Sequence, residues 1–324
     1  MKVGIIGVGA VGTSCAKAML LRGSCHEIVL IERDDDAAQL RAKGVAADLS
    51  HGAVLLPPAR IRPGTYEDLR DASVIIITAG INERTGEAID RNDPRGRLLL
   101  LPQNANIYRE IVPRIVAVNT DAIILVVTDP PDPLADVARR LAPSNPVISS
   151  GTFLDTLRFR LQLAQWIGCH PSSVEAMVIG EHGTSQVYVW SSARVGSEPV
   201  LAHLERVTLE AKKDWDESSF RSQVERDVKY ANISIIEGTG ASQHGIGIVT
   251  ARLVEAILRD EGLVAPVGVF QPQFNVTLSL PSIIGKSGVS RVLVSSLSDE
   301  ETGKLAKSAT AIRDALDDLD RQSG

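Results

Sequence analysis

Apolar positions along the chain follow two rhythms. The runs "KVGIIGVG", "EIVLIERD", "ASVIIITAG" and "DAIILVVTD" are apolar almost throughout. Strands without a polar face belong to a parallel sheet covered on both sides. Between them, stretches such as "AVGTSCAKAMLLRG" and "NANIYREIVPRIVAV" have helical spacing. Strand alternating with helix predicts an α/β fold with a Rossmann-type, doubly wound parallel sheet. After about residue 150 the pattern changes. "GTFLDTLRFRLQLAQWIG", "ESSFRSQVERDVKYANISIIEG" and "ASQHGIGIVTARLVEAILRDEG" read as helices. "VEAMVIGEHG" and "SQVYVWSSARVG" read as strands around a turn, and "VGVF" and "NVTLSLPSIIG" as antiparallel strands. Leu305, Ala309, Ile312, Leu316 and Leu319 line one face of a last helix behind a Ser-Asp-Glu-Glu start. The chain thus divides into a Rossmann domain over 1–149 and a mixed α+β domain over 150–324. No clean linker separates them, so a shared interface is expected.

The first strand runs into Gly7, Gly9 and Gly12, a G-x-G-x-x-G that opens a helix. In that context the glycines let the backbone turn tightly and approach a pyrophosphate, which rests on the helix N-terminus. Glu32 ends the second strand, where an acid meets the ribose hydroxyls of a dinucleotide. Its charge would repel a 2′-phosphate, which favours NAD over NADP, although the adjacent Arg33 could receive one. An incidental glycine turn with a surface glutamate would explain each feature singly, but not the three together.

Composition narrows the partners. The 324 residues are 44% hydrophobic and 23% charged, as in an ordinary globular chain. A net charge of −6 disfavours nucleic acid and anionic membrane and leaves a small molecule as the expected partner. No run is long enough to cross a membrane. "MKVGIIGVG" has the basic-then-apolar look of a signal peptide, but it is short, glycine-rich and lacks a cleavage site. Cys15, Cys25 and Cys169 have no metal-ligand spacing, so no metal is expected, and their odd number fits a reduced, cytoplasmic compartment.

Candidate chemistry lies in the second half. Asp155 and Arg158 are three apart on one helix face. That spacing usually gives a surface ion pair; functionally, the acid would orient a histidine and the arginine would grip an anion. The histidine is His182, in "IGEHGTSQ" at the end of an apolar run, where a lone histidine more often makes a local hydrogen bond.

The segments "GIIGVGAVG", "ADLSHG", "SGTFLDTLRFR", "IGEHGTSQVYVWS" and "LSLPSIIGKSGV" resemble, over nearly the whole chain, the L-lactate/malate dehydrogenase superfamily. "SGT" ahead of the aspartate helix is closer to its lactate and L-2-hydroxyisocaproate branches than to its malate branch. The resemblance implies an NAD-dependent L-2-hydroxy acid dehydrogenase that forms a homodimer or homotetramer. It makes His182 the proton carrier, Asp155 its orienting partner, Arg158 the anchor of the substrate carboxylate and Arg97 a mobile-loop group that polarises the carbonyl. Val11, Tyr66, Thr78, Ala79, Gly80, Val127 and Ser150 fall where the family lines its cofactor cleft. Ser242 falls where the lactate branch has a threonine beside the substrate side chain. Arg160 matches one residue of a sugar-bisphosphate site, but Glu175 replaces its histidine.

Two departures stand out. The segment "INERTGEAIDRNDPRG" between Gly80 and Arg97 is longer than the family's usual loop, as it also is in the hydroxyisocaproate branch. Counting six positions back from Arg97 puts the specificity-reading residue at Arg91, which would favour oxaloacetate. The lengthened loop and the lactate-like segments favour a monocarboxylic 2-keto acid. Asp129 replaces an asparagine that the family uses to contact substrate and nicotinamide, adding a negative charge beside an anionic substrate. Competing expectations are a malate dehydrogenase, a non-catalytic NAD-binding sensor, and an NAD-dependent glycosidase that would need Cys169 and His170 as metal ligands.

Overall fold

The computed structural model describes residues 1–212, 214–293 and 296–323. Six parallel strands come from the first half: β1 (Lys2–Ile6), β2 (Glu27–Ile31), β3 (Arg60–Pro63), β4 (Val74–Ile77), β5 (Ile123–Val126) and β6 (Val147–Ser149). They lie in the order β3-β2-β1-β4-β5-β6. This is the doubly wound order, with its topological switch point between β1 and β4. Helices α1 (Ala10–Arg22), α2 (Asp36–Ala53), α3 (Leu101–Val118) and α4 (Pro131–Leu141) make the crossovers.

The alternation inside the apolar runs explains why they have no polar face. Val29, Ile31, Ile75 and Ile77 enter one core with α3 and α4. Their neighbours Ile28, Leu30, Val74 and Ile76 enter a second core with α1 and α2 on the opposite face. Successive side chains on a strand point to opposite faces, so both must be apolar when both are covered.

The second half supplies α5 (Phe153–Ile167), the short strands β7 (Val174–Glu175), β8 (Val178–Ile179), β9 (Val187–Tyr188), β10 (Arg194–Val195) and β11 (Glu198–Pro199), and helices α6 (Val200–Glu210), α7 (Glu217–Lys229), α8 (Ala231–Thr239) and α9 (His244–Leu258). It ends in β12 (Leu263–Gln271), β13 (Val276–Gly285), β14 (Gly288–Val292) and α10 (Asp299–Ser323). Strands β12 to β14 form the expected antiparallel meander and extend the main sheet beyond β6, where Gly268 pairs with Ser149. Helix α9 packs on α1, and α10 places Leu305, Ala309, Ile312, Leu316 and Leu319 in the first core. The Ser298 hydroxyl accepts the Glu301 N–H while the Glu301 carboxylate accepts the Ser298 N–H, closing the box that starts α10.

Two expected elements are broken. "SQVYVWSSARVG" is not one strand: Phe159 packs edge-on against Tyr188 at 5.3 Å and Trp190 at 4.8 Å, and the chain turns between β9 and β10 to fill that third core. The long run from Glu217 splits into α7 and α8 at Tyr230, whose φ of −102° and ψ of 10° depart from helical values.

Candidate active site

The cleft opens where doubly wound folds bind ligands, beyond the carboxyl ends of the parallel strands. Strand β1 leads into Gly7, β4 into Thr78, β5 into Asp129 and β6 into Ser150. Gly7 has a φ of +97°, a conformation that side chains resist. A Cβ on Gly12 would collide with the Gly7 carbonyl oxygen, so glycine there lets α1 seat against β1. Gly9 differs: a Cβ on it would meet nothing within 4 Å. Helix α1 begins with no side-chain cap and no acid in its first turn. The cleft is lined there by Gly9, Ala10 and Val11. Free amide groups beside open space, without a carboxylate, suit a phosphate. The residues present therefore fit a dinucleotide.

Glu32, 8% exposed, stands at the end of β2. Its Oε1 accepts the Val8 N–H at 2.6 Å and pairs with Arg41 at 2.9 Å. Arg33 points outward and pairs with Asp35 at 3.2 Å, which leaves Glu32 the acid facing the turn.

The enclosed part of the cleft measures about 200 Å³. That is less than the roughly 300 Å³ at which drug-sized sites begin, so it suits the reacting end of a cofactor and a small substrate. Thr78, Gly80, Val127, Asp129 and Ser150 line it, together with Arg97, Arg158, His182 and Ser242. His182 follows β8, and its N–H donates to the Asp132 carboxylate at 2.8 Å. Asp132, at the start of α4, also accepts from the Ser149 and Ser279 hydroxyls at 2.6 and 3.0 Å. Thus the histidine's backbone is tied to helix α4 and to both sheet segments. Burial pushes Asp132 up to about 6 despite these donors.

His182 is 9% exposed. Its Nδ1 hydrogen-bonds one oxygen of Asp155, which is 1% exposed on the first turn of α5. The other Asp155 oxygen accepts from Arg158 Nη1 at 3.0 Å. Burial alone would raise the Asp155 carboxyl, but His182, Arg158 and Arg97 outweigh it and hold the group well below the usual carboxylate range. Desolvation in turn lowers Arg158 against the pull of Asp155. The helix-surface ion pair that the spacing alone would suggest is instead a buried relay from arginine to aspartate to histidine.

Arg97, 7% exposed, belongs to the short 3-10 turn Gly96–Leu100. Its Nε lies 3.3 Å from Asp129 Oδ2 without hydrogen-bond geometry, and it has no other hydrogen-bond partner among the described residues. Asp129 Oδ1 is 3.6 Å from His182 Nε2. Asp129 therefore spans Arg97 and His182.

The long loop lies down over the cleft. Thr184 Oγ1 donates to the Pro94 carbonyl at 2.6 Å, and Arg91 reaches across to α8, pairing with Glu237 at 2.7 Å and contacting Ser234 at 3.2 Å. Arg91 is thus a loop strap at the surface and is not among the residues lining the cleft, contrary to the position count. The loop is tied near both ends, at Ile81 and at Pro94, and Arg91 lies between these ties, drawn out to α8. The Gly80 end holds its place because Asn104 Oδ1 accepts the Ile81 N–H at 2.7 Å. Accordingly Ile81, Asn82, Glu83 and Arg84 line the cleft, none of them anticipated from the sequence. Tyr66 also stands apart, buried in the first core under the Arg114 guanidinium at 3.9 Å. Ala79 packs beside the same core, and Gly7 presses against its backbone.

Among the described residues no cluster of three or more His, Cys, Asp or Glu could hold a metal ion. Cys169 and His170 lie just after α5, and the His170 ring is exposed and bonded to Ser172, away from the cleft. No helix of the described residues is long and apolar enough to cross a membrane.

Comparison with known proteins agrees with this geometry. The family model described as "lactate/malate dehydrogenase, NAD binding domain" matches residues 1–148, and "lactate/malate dehydrogenase, alpha/beta C-terminal domain" matches residues 152–322. An L-lactate dehydrogenase of Deinococcus radiodurans is 42% identical over 313 residues, covering 97% of each chain. One from Thermus aquaticus is 40% identical over 325 residues, covering 98% of this chain and 99% of the other. The fold matches the crystal structure of the minor L-lactate dehydrogenase of Enterococcus mundtii with a TM-score of 0.85 at 33% identity, covering 98% of this chain and 97% of that one. A lactate dehydrogenase from a Medee basin deep-sea metagenome library matches with a TM-score of 0.86 at 33% identity, covering 98% of each chain.

Proposed function

The chain belongs to the lactate/malate dehydrogenase family, and from that premise we propose that it is an NAD-dependent L-2-hydroxy acid dehydrogenase acting on a monocarboxylic substrate of the lactate type. The observation that carries this reading is the buried relay: one Asp155 carboxylate holds both the His182 ring and the Arg158 guanidinium.

Each group has a task that its surroundings fit. A nicotinamide dinucleotide held in this cleft would supply the hydride chemistry, exchanged at the substrate's C2. His182, with Nδ1–H given to Asp155, keeps a lone pair on Nε2 that takes the hydroxyl proton in oxidation; as imidazolium it returns that proton in reduction. Arg158 holds the substrate carboxylate through its planar fork, a geometry lysine lacks. Arg97 faces the substrate oxygen as negative charge develops there. The loop across Thr184 and α8 keeps water out while this happens. Glu32 would hold the ribose hydroxyls and repel a 2′-phosphate, and Gly7, Gly9 and Gly12 would admit the pyrophosphate.

Oxaloacetate is disfavoured. Arg91, the cation that would have received a second carboxylate, is engaged by Glu237, and Asp129 and Glu83 make that part of the cleft acidic. Buried free thiols at Cys15 and Cys25 fit a reduced cytoplasm. Exposed apolar residues on α5, Leu157, Leu161 and Trp166, fit a subunit interface of a homodimer or homotetramer. NADH consumption with a panel of 2-keto acids tests the reading. Turnover of pyruvate or a larger monocarboxylic homologue is expected; NADH binding without turnover of any 2-keto acid would leave a sensor rather than an enzyme.

A further inference from the structure

The His182 turn is held from behind by one acid. Asp132 is fully buried on the first turn of α4 and takes three donors. Its Oδ2 accepts the His182 N–H at 2.8 Å, and its Oδ1 accepts the Ser149 and Ser279 hydroxyls at 2.6 and 3.0 Å. A carboxylate only accepts, so all three donors can point at it together. Glycines leave room for the cluster. A Cβ on Gly268 would collide with both the Asp132 carboxylate and the Ser149 hydroxyl, and one on Gly151 with the Ser279 hydroxyl.

The three donors stand on the segments that deliver the relay. Ser149 ends β6, and the chain runs on from it through Thr152 into α5 and Asp155. Ser279 lies in β13 and exchanges both main-chain hydrogen bonds with Gly180, at 2.8 and 3.1 Å, just ahead of His182. His182 itself is the third. Asp132 comes from the first domain, shortly after Asp129, which lines the cleft. One carboxylate thus ties the histidine, the strand leading to its aspartate partner and the strand paired beside it to the half of the molecule that carries the glycine turn. On the other side of the turn the Glu181 N–H is held separately, by Ser308 Oγ at 2.8 Å. Loss of Asp132 would therefore free the His182 peptide while its neighbours stay tied.

We propose that Asp132 is a positioning residue of the proton relay: by accepting the His182 main-chain N–H it fixes the imidazole relative to the cofactor-binding half. This rests on the dehydrogenase reading given above. Asp132 is not among the residues lining the cleft, so it acts through His182. In reduction the hydride goes to C2 and the imidazolium proton to the oxygen of the same bond, and both must arrive in register. A misplacement of about 1 Å in such a step costs up to about 10²-fold in rate.

The test follows a single turnover, mixing the full-length enzyme–NADH complex with a saturating 2-keto acid and reading the loss of NADH absorbance. NADH deuterated at both C4 positions identifies the hydride step, and fluorescence titration counts NADH sites. Asp132→Ala should slow the isotope-sensitive rate about tenfold or more, with NADH affinity unchanged. Asp132→Asn should restore most of that loss, because the amide oxygen can take the His182 N–H while its NH₂ donates to the two serine oxygens. Ser279→Ala, which keeps the acid and loosens it, should slow the rate about threefold or more, and it decides the matter if Asp132→Ala does not fold. A role in folding alone would lower the number of NADH sites and leave the rate at each site unchanged, which would overturn the proposal. An asparagine variant as slow as the alanine variant would also overturn it, as would Ser279→Ala at the wild-type rate where Asp132→Ala does not fold. Wild type that binds NADH but turns over no 2-keto acid would overturn the dehydrogenase reading, and this inference with it.

Discussion

Replacing Asp155 by asparagine separates the carboxylate's charge from its shape. One Asp155 oxygen bonds His182 Nδ1, and the other accepts from Arg158 at 3.0 Å. An amide offers one oxygen and one NH₂ in the same plane. Whichever way it is turned, one of the two nitrogens facing it meets a donor. The permanently charged guanidinium claims the oxygen, so the NH₂ turns to His182 Nδ1. That nitrogen must then accept, which moves the ring proton to Nε2 and removes the lone pair that should take a proton from substrate. The imidazolium needed for reduction also loses its counter-ion in a site where Asp155 is almost fully buried.

A hydrogen bond to a charged partner contributes about 1.5–3 kcal/mol. One such bond is lost and a second weakened, so the transition state should lose on the order of 3 kcal/mol, or about 10²-fold in rate. Asp155→Asn should therefore lower kcat/KM by about two orders of magnitude in both directions, measured by NADH absorbance. NADH binding should be retained, since the glycine turn belongs to the first domain, after β1, and Asp155 to α5. A kcat/KM within about threefold of wild type, with binding intact, would refute the relay.

Three further outcomes follow. Wild type should prefer NADH to NADPH by about 10² or more in kcat/KM, and Glu32→Gln should narrow the gap at least about tenfold by removing the charge that repels a 2′-phosphate; equal use of both cofactors by wild type would show that Glu32 does not govern the pocket. Asp132, raised by burial to about 6 from an ordinary 3.8, holds in the folded state a proton that the unfolded chain has already lost between those values, so stability should fall by about 3 kcal/mol as pH rises from about 4 to 6; urea midpoints should show that slope in wild type and lose it in Asp132→Asn, and equal slopes would refute the assignment. Fructose 1,6-bisphosphate should leave KM unchanged, because Arg160 donates to the Ala176 carbonyl at 2.9 Å and Glu175 supplies negative charge beside it; a clear fall in KM on adding it would contradict this.

What the sequence revealed depends on the range of each interaction. Strand runs such as "VIII" at 74–77 are legible because both faces are buried, so composition alone encodes the element. The glycine turn and the Asp155–Arg158 pair are legible because their partners lie within a few residues. The break at Trp190 was not, because it is set by Phe159 from a different helix. The break at Tyr230 was also missed, since the flanking sequence keeps helical spacing across it. Asp132 escaped notice for a similar reason: its importance lies in the His182 N–H, 50 residues away in sequence.

The loop shows the limit most sharply. A position count assumes a chain of fixed length between two anchors, and the insertion removes that assumption. Anchoring decides which residues keep their place. Asn104 fixes the Gly80 end, Thr184 fixes the far end through the Pro94 carbonyl, and Arg91 between them reaches α8. Asp129 was visible because it follows β5 within three residues, but its nearness to Arg97 and His182 was not, because those residues stand on distant elements. An acid at this place adds charge to the cleft, and Arg97, 3.3 Å away, is the cation placed to balance it.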